Sequence, residues 1–238
     1  MRFRLRVGRK SFLAAAFLFA LIALLPLRLA LDWLGFGDRI LTARAATGSI
    51  WRGALQEAQA GPVPLGDVTA RLNVLPLFLG RARLSLAGAD AETGLEGAVT
   101  LSRHSFGFDD VTGRFRTVAL FAPLPVSTLD FDGFSAGFTS GRCTRAAGRV
   151  QAGVAGEIAG IPLASGLTGI ARCADDALLL PLVGQSGMEQ LNVRLYADGR
   201  YRLDLIVRSG DEAVRARLAA AGFRAVGNGH VLRIDGRF

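Results

Sequence analysis

Histidine and lysine are nearly missing from this chain, and cysteine, tyrosine and tryptophan are almost as rare. Its 238 residues include two His, two Cys, two Tyr, two Trp and one Lys. Each scarcity removes a class of chemistry. His104 and His230 stand in no HExxH or HxH pattern and near no cysteine, so no zinc site is expected. Ser-His-Asp catalysis would need a nucleophile on a sharp turn such as GxSxG, and Gly184-Gln185-Ser186-Gly187 is one residue short of that pattern. Gly227-Asn228-Gly229 does not lead from a strand into a helix, so it reads as a turn and not as a phosphate cradle. The adjacent carboxylates Asp109-Asp110 and Asp175-Asp176 read as solvated turn residues. No catalytic residue, no metal ligand set and no cofactor site is expected.

Acidic residues are lacking at the amino terminus. The net charge is +8, yet residues 1–31 hold six basic side chains and no acid, which leaves 22 basic against 20 acidic residues in the rest. A nucleic-acid partner is excluded on that ground, because the excess is local and belongs to a topology signal.

Long apolar runs are lacking too, save one. Phe12–Leu31 opens with sixteen residues without a charge and is interrupted only by Arg28. About twenty helical residues span about 30 Å, the hydrocarbon thickness of a bilayer. Ahead of it stand Arg2, Arg4, Arg6, Arg9 and Lys10, which hold the amino terminus in the cytoplasm. Arg28 can snorkel to the far interface, where Trp33 also belongs. A cleaved signal peptide would want a shorter core and a nearby small-x-small site. The nearest such site, Ala43-Arg44-Ala45, lies over a dozen residues further on. The expected organisation is therefore a cytoplasmic tail (1–11), a retained transmembrane anchor (12–31) and a periplasmic β-rich domain (32–238), with the lipid bilayer as first partner.

Both cysteines, Cys143 and Cys173, fall in the part expected outside, where an even pair reads as a disulfide. Closing a loop of about thirty residues would stabilise the fold by roughly 3.5 kcal/mol. A pair of free buried thiols is the alternative. A metal site is poorly supported, because neither Cys has a second Cys or a His within ligand spacing.

What is abundant is glycine, 30 residues, and between the glycines run short alternating segments. Val68–Val74, Arg81–Leu86, Leu95–Leu101, Leu191–Leu195 and Tyr201–Leu205 all alternate with period two, the mark of half-buried strands. Asp198-Gly199 joins the last two as a hairpin. The fold class is mainly β, an antiparallel sheet domain with one carboxyl-terminal helix. Ser209 is the expected N-cap of that helix, with Glu212 at capping-box spacing. Ala213, Val214, Arg217, Leu218 and Ala221 keep helical spacing, and Gly222 ends it. A final strand pair, Arg224–Val226 and His230–Ile234, follows. No fixed repeat period emerges; two similar sheet halves divided near Pro123–Pro125 are one possible arrangement. The 15 phenylalanines are a large apolar load. Phe106, Phe108, Phe115, Phe121, Phe131, Phe134 and Phe138 read first as sheet core, and in a sharper reading as an apolar groove for a partner or a lipid chain.

The segment Ala45–Ala54, AATGSIWRGA, resembles the opening of the periplasmic domain in the type II secretion system protein N family, through Gly48, Ser49, Ile50, Trp51 and Gly53. Leu72–Leu84 is also similar, with Leu75-Pro76 followed by Leu79-Gly80. The family often has a Trp shortly before that Pro76, where this chain has Leu72 and Asn73. The spaced cysteines Cys143 and Cys173, the acidic turn Asp175-Asp176 and the ending Asp235-Gly236-Arg237-Phe238 are similar as well. The strand around Trp51 and the Leu-Pro segment also resemble the wider AsmA-like group of membrane-anchored β-rich proteins. The first resemblance implies an accessory, non-catalytic inner-membrane subunit of the type II secretion system. Its periplasmic domain would contact other secretion proteins, the inner-membrane platform or the secretin. The second implies lipid handling or envelope homeostasis.

Overall fold

The structure, a computed structural model, describes residues 41–60, 63–89, 94–117, 126–154, 156–158, 161–162 and 166–237, with the single positions 12, 13, 17, 20, 24 and 26. The basic residues Arg2, Arg4, Arg6, Arg9 and Lys10, most of 12–31, Trp33, Phe121 and Pro123–Pro125 lie outside the described residues. Phe12, Leu13, Phe17 and Ala20 are helical, and the Leu24 amide donates to the Ala20 carbonyl at 2.9 Å. Among the described residues no helix is long and apolar enough to cross a membrane.

The strands are β1 (Leu41–Thr42), β2 (Ala45–Ser49), β3 (Arg52–Ala60), β4 (Val63–Asn73), β5 (Ala82–Gly88), β6 (Glu96–Leu101), β7 (Ser105–Arg116), β8 (Val126–Thr139) and β9 (Arg142–Val154). They continue with β10 (Glu157–Ile158), β11 (Ile161–Pro162), β12 (Gly166–Ile170), β13 (Arg172–Ala174), β14 (Ala177–Gly184), β15 (Glu189–Leu195), β16 (Arg200–Val207), β17 (Arg224–Val226) and β18 (Gly229–Arg237). Among the described residues of the domain, the strands are joined by the helices α1 (Val74–Leu77) and α2 (Glu212–Ala220). Sixteen strands make one sheet with the path β1-β3-β4-β5-β6-β7-β8-β9-β12-β14-β15-β16-β18-β17, with β2 also on β3 and β13 on β14. β10 and β11 form a separate two-stranded piece. Every pairing is antiparallel, so the mainly β expectation holds.

The alternation in the sequence becomes alternation in burial. In β4, Val68 and Ala70 are buried while Thr69 and Arg71 are exposed. Asp198-Gly199 turns β15 into β16 with Leu195 opposite Tyr201. β17 and β18 turn back through Gly227-Asn228, as expected.

The expected division near Pro123–Pro125 does not occur in the sheet. β7 and β8, on either side of that segment, pair directly from Ser105↔Thr139 to Arg116↔Thr128. The apolar core divides elsewhere. A large cluster joins Phe134, Phe138, Val150, Leu167, Leu180, Leu182, Leu203 and Leu205, with Leu218 of α2 and Phe223 packed into it. A smaller one joins Leu55, Ala58, Val68 and Leu95, and Val111 of β7 touches both.

Two local expectations are corrected. The N-cap of α2 is Asp211, whose carboxylate accepts from the Ala213 amide at 2.8 Å; Ser209 instead accepts from the Asp211 amide. An Asp nearer the first turn outcompetes the Ser for the free amides, and it complements the helix dipole. The second correction is α1, a single helical turn where alternation through Val74 predicts strand. Pro76 has no amide to give a ladder and its fixed φ suits a first turn, so the chain leaves the sheet there.

Candidate functional site: a hairpin and a loop at one end of the sheet

The residues of the two motif segments meet. β2 and β3 form a hairpin in which Gly48 faces Gly53 and Ser49 faces Arg52, leaving Ile50-Trp51 as the turn. Gly48 has φ +85°, and a Cβ there would stand 2.5 Å from the Arg52 carbonyl oxygen. Only glycine allows this close, left-handed crossing. Ile50 is buried and Trp51 half-buried. The Leu72 amide donates to the Ile50 carbonyl at 3.3 Å, which ties the Trp51 turn to the end of β4, directly before α1. Pro26, far earlier in the chain, bridges to Ser49 in the same hairpin.

The segment after Leu72 folds back on itself. The amides of Leu79 and Arg81 both donate to the Pro76 carbonyl at 3.0 Å, and the Gly80 amide donates to that of Leu77. Gly80 has φ +69°, which closes the turn. Val74, Leu75, Leu77, Phe78 and Leu79 are left exposed by this loop. Its apolar run is plain in the sequence, but alternation hides it inside a strand.

Cys143 and Cys173 form a disulfide between β9 and β13, with Cα atoms 5.5 Å apart, so the free-thiol and metal alternatives fall away for this pair. Asp175-Asp176 is the turn between β13 and β14, with Asp176 paired to Arg142 at 2.7 Å.

Asp109 corrects another expectation, for it is not a solvated turn residue. It lies in β7, buried, where Thr100 donates to it at 2.7 Å, Arg145 pairs with it, and Arg83 stands at 3.4 Å. Burial pushes its pKa up, but hydrogen bonds from Thr100 and Arg145 and the charges of Arg145 and Arg83 outweigh that, leaving it below the usual carboxylate range. Asp110 sits at a bulge with φ +50°, and its amide donates to Ser135. A second buried carboxylate, Asp204, is clamped by Arg233 at 2.6 Å and Arg194 at 3.0 Å. Each of the two buried carboxylates is thus held between two arginines.

The phenylalanines are mostly core. Phe106 stacks on Phe138 at 4.9 Å, and Phe131 packs against Phe134 and Phe115. Phe108 alone of the described ones in that third is exposed. The structure does not bring His104 and His230 together with other ligands: among the described residues no group of three His, Cys, Asp or Glu could hold a metal ion. A shallow cleft of about 410 Å³ is lined by Gly141, Asp176, Tyr196, Ala197, Asp198 and Arg200. Its carboxylates are held by arginines, Asp198 by Arg200 at 2.6 Å.

The described residues define a disulfide-stapled, mainly β protein built on one large antiparallel sheet. The chain belongs to the type II secretion system (T2SS) protein N family, whose family model matches residues 40–232. No curated protein and no solved structure matches it. The family is a structural component of the secretion system and is not known as an enzyme.

Proposed function

We propose that this protein is an accessory inner-membrane subunit of the type II secretion system, which helps to assemble or link the envelope-spanning machine exporting folded proteins. The family match over 40–232 carries this reading. The basic tail and the apolar run of 12–31 supply a single-pass anchor with its amino terminus in the cytoplasm. The disulfide fits an oxidising compartment on the far side. Sheet edges, β1–β2 at one end and the three-residue β17 at the other, offer backbone groups to a neighbouring strand. The partners are other secretion proteins, the inner-membrane platform or the secretin. Photo-crosslinking in intact cells from positions in β2 and β17 tests this. Capture of a secretion-system protein supports it, and capture of none in actively secreting cells overturns it.

A second reading, AsmA-like lipid handling, has one observation in its favour. Leu72, Leu84, Val99 and Phe108 stand opposite one another across β4–β7, and none of the four is fully buried. Acyl chains co-purifying with the protein, and lost from Val99→Asp, would favour it.

A further inference from the structure

Five of the fourteen exposed large apolar side chains among the described residues fall in one six-residue stretch, Val74–Leu79. Leu75 is 81% exposed, Phe78 84% and Leu79 78%, values close to those of an extended chain. Water does not favour such a cluster, and it stands exposed among the described residues. The same stretch goes part of the way to the condition that lipid sets on a backbone. Its backbone polar groups must be satisfied locally, and the amides of Leu79, Gly80 and Arg81 all bond to carbonyls within the loop, while Pro76 has no amide at all. The apolar tips are thus presented on a closed turn and not on an open strand edge.

Along the chain that flanks the loop, charge has one sign. From Val68 to Gly88 the chain carries Arg71, Arg81 and Arg83 and no acid, and Arg52 lies in the hairpin tied to the loop's base. Among the described residues Arg52, Arg71 and Arg81 make no ion pair with a carboxylate, whereas Arg83 is turned to Asp109. Arginine at the rim of an apolar tip matches a phosphate layer lying over hydrocarbon. Trp51, a residue that favours that boundary, is in the same hairpin. Finally, Pro26, a residue of the apolar run 12–31, bridges to Ser49 of the hairpin that is tied to the loop's base.

We propose that Val74–Gly80 is a second membrane contact, a monotopic loop that enters the phospholipid leaflet where the anchor emerges. This rests on the anchor reading, and it goes beyond it by fixing which end of the sheet faces the bilayer. Two points of attachment would set the sheet's orientation, which a single helix alone leaves free to swivel.

The test uses the full chain in the membranes of cells that make it, with Phe78 replaced by p-benzoylphenylalanine, and in parallel Leu75 and Ile170. Ile170 is also exposed, at 65%, but lies in β12. On irradiation, positions 75 and 78 are expected to yield phospholipid adducts by mass spectrometry, at least tenfold more than position 170. Protein adducts at 75 and 78, or no lipid adduct there, overturn the proposal. Carbonate extraction of the same membranes examines the anchor separately. A chain that resists extraction without lipid adducts sinks the loop contact alone. A chain released by carbonate sinks the anchor reading, and lipid adducts at 75 and 78 would then still support the loop.

Discussion

The amide of Leu72 and the carbonyl of Ile50 meet at 3.3 Å, and through that bond two short motifs separated by a whole hairpin become one end of the sheet. Gly48, Trp51 and Gly53 shape the turn on one side, and Pro76 and Gly80 shape the loop on the other. If this end is organised by backbone geometry, glycine substitutions there separate strain from crowding. Gly48→Ala is expected to destabilise by about 2–3 kcal/mol, since φ is positive and the added methyl meets the Arg52 carbonyl. Gly141→Ala, with φ +82° but nothing within 4 Å of its Cβ, should cost only about 1 kcal/mol. Denaturant midpoints of the two variants measure the difference, and equal losses would remove the role given to the close crossing.

The disulfide joins β9 to β13 across thirty residues of sequence. Replacing both cysteines by serine should cost about 2–4 kcal/mol. Reductant should lower the stability of the native protein to the same level and leave the variant unchanged. Thiol labelling of unreduced, denatured protein should find no free thiol.

Folding lowers the pKa of Asp109. A lowered carboxylate contributes its stabilisation fully above the unfolded value, about 3.9, and loses it as pH falls through the lower folded value. Asp109→Asn is therefore expected to be less stable by about 1–2 kcal/mol at pH 7, a modest loss because Arg83 and Arg145 remain partly hydrated. The gap should close as pH falls below about 4. A gap that widens in acid would reverse the assigned sign.

Helix α2 offers a local check. Asp211→Ala should cost about 1 kcal/mol through the lost cap, and Ser209→Ala less than half of that. Equal costs would return the cap to Ser209.

The strands with one solvated face were legible in the sequence, as at Val68–Asn73 and Leu191–Leu195, because water on one side enforces polar residues at every second position. β14 was not. Leu178, Leu179 and Leu180 are all buried, so both faces are apolar and the period disappears. The long β8 and β9 were hidden by bulges, since their pairing shifts register between Asp132 and Ser135 and resets every side chain beyond it. Asp109 looked like a turn residue because its partners Arg83 and Arg145 come from distant strands, and no local pattern announces them. The loop at Val74–Leu79 was legible as an apolar run, but its exposure depends on Pro76 breaking the ladder and on the closing turn at Gly80.

The most direct test of the whole account is protease accessibility in spheroplasts, followed with an antibody to the carboxyl terminus. A membrane-bound chain is expected, with its domain 32–238 cut by protease added outside intact spheroplasts and the basic tail protected. A chain that is cut only after the inner membrane is broken, or that is washed away free with the periplasmic fraction, would contradict it.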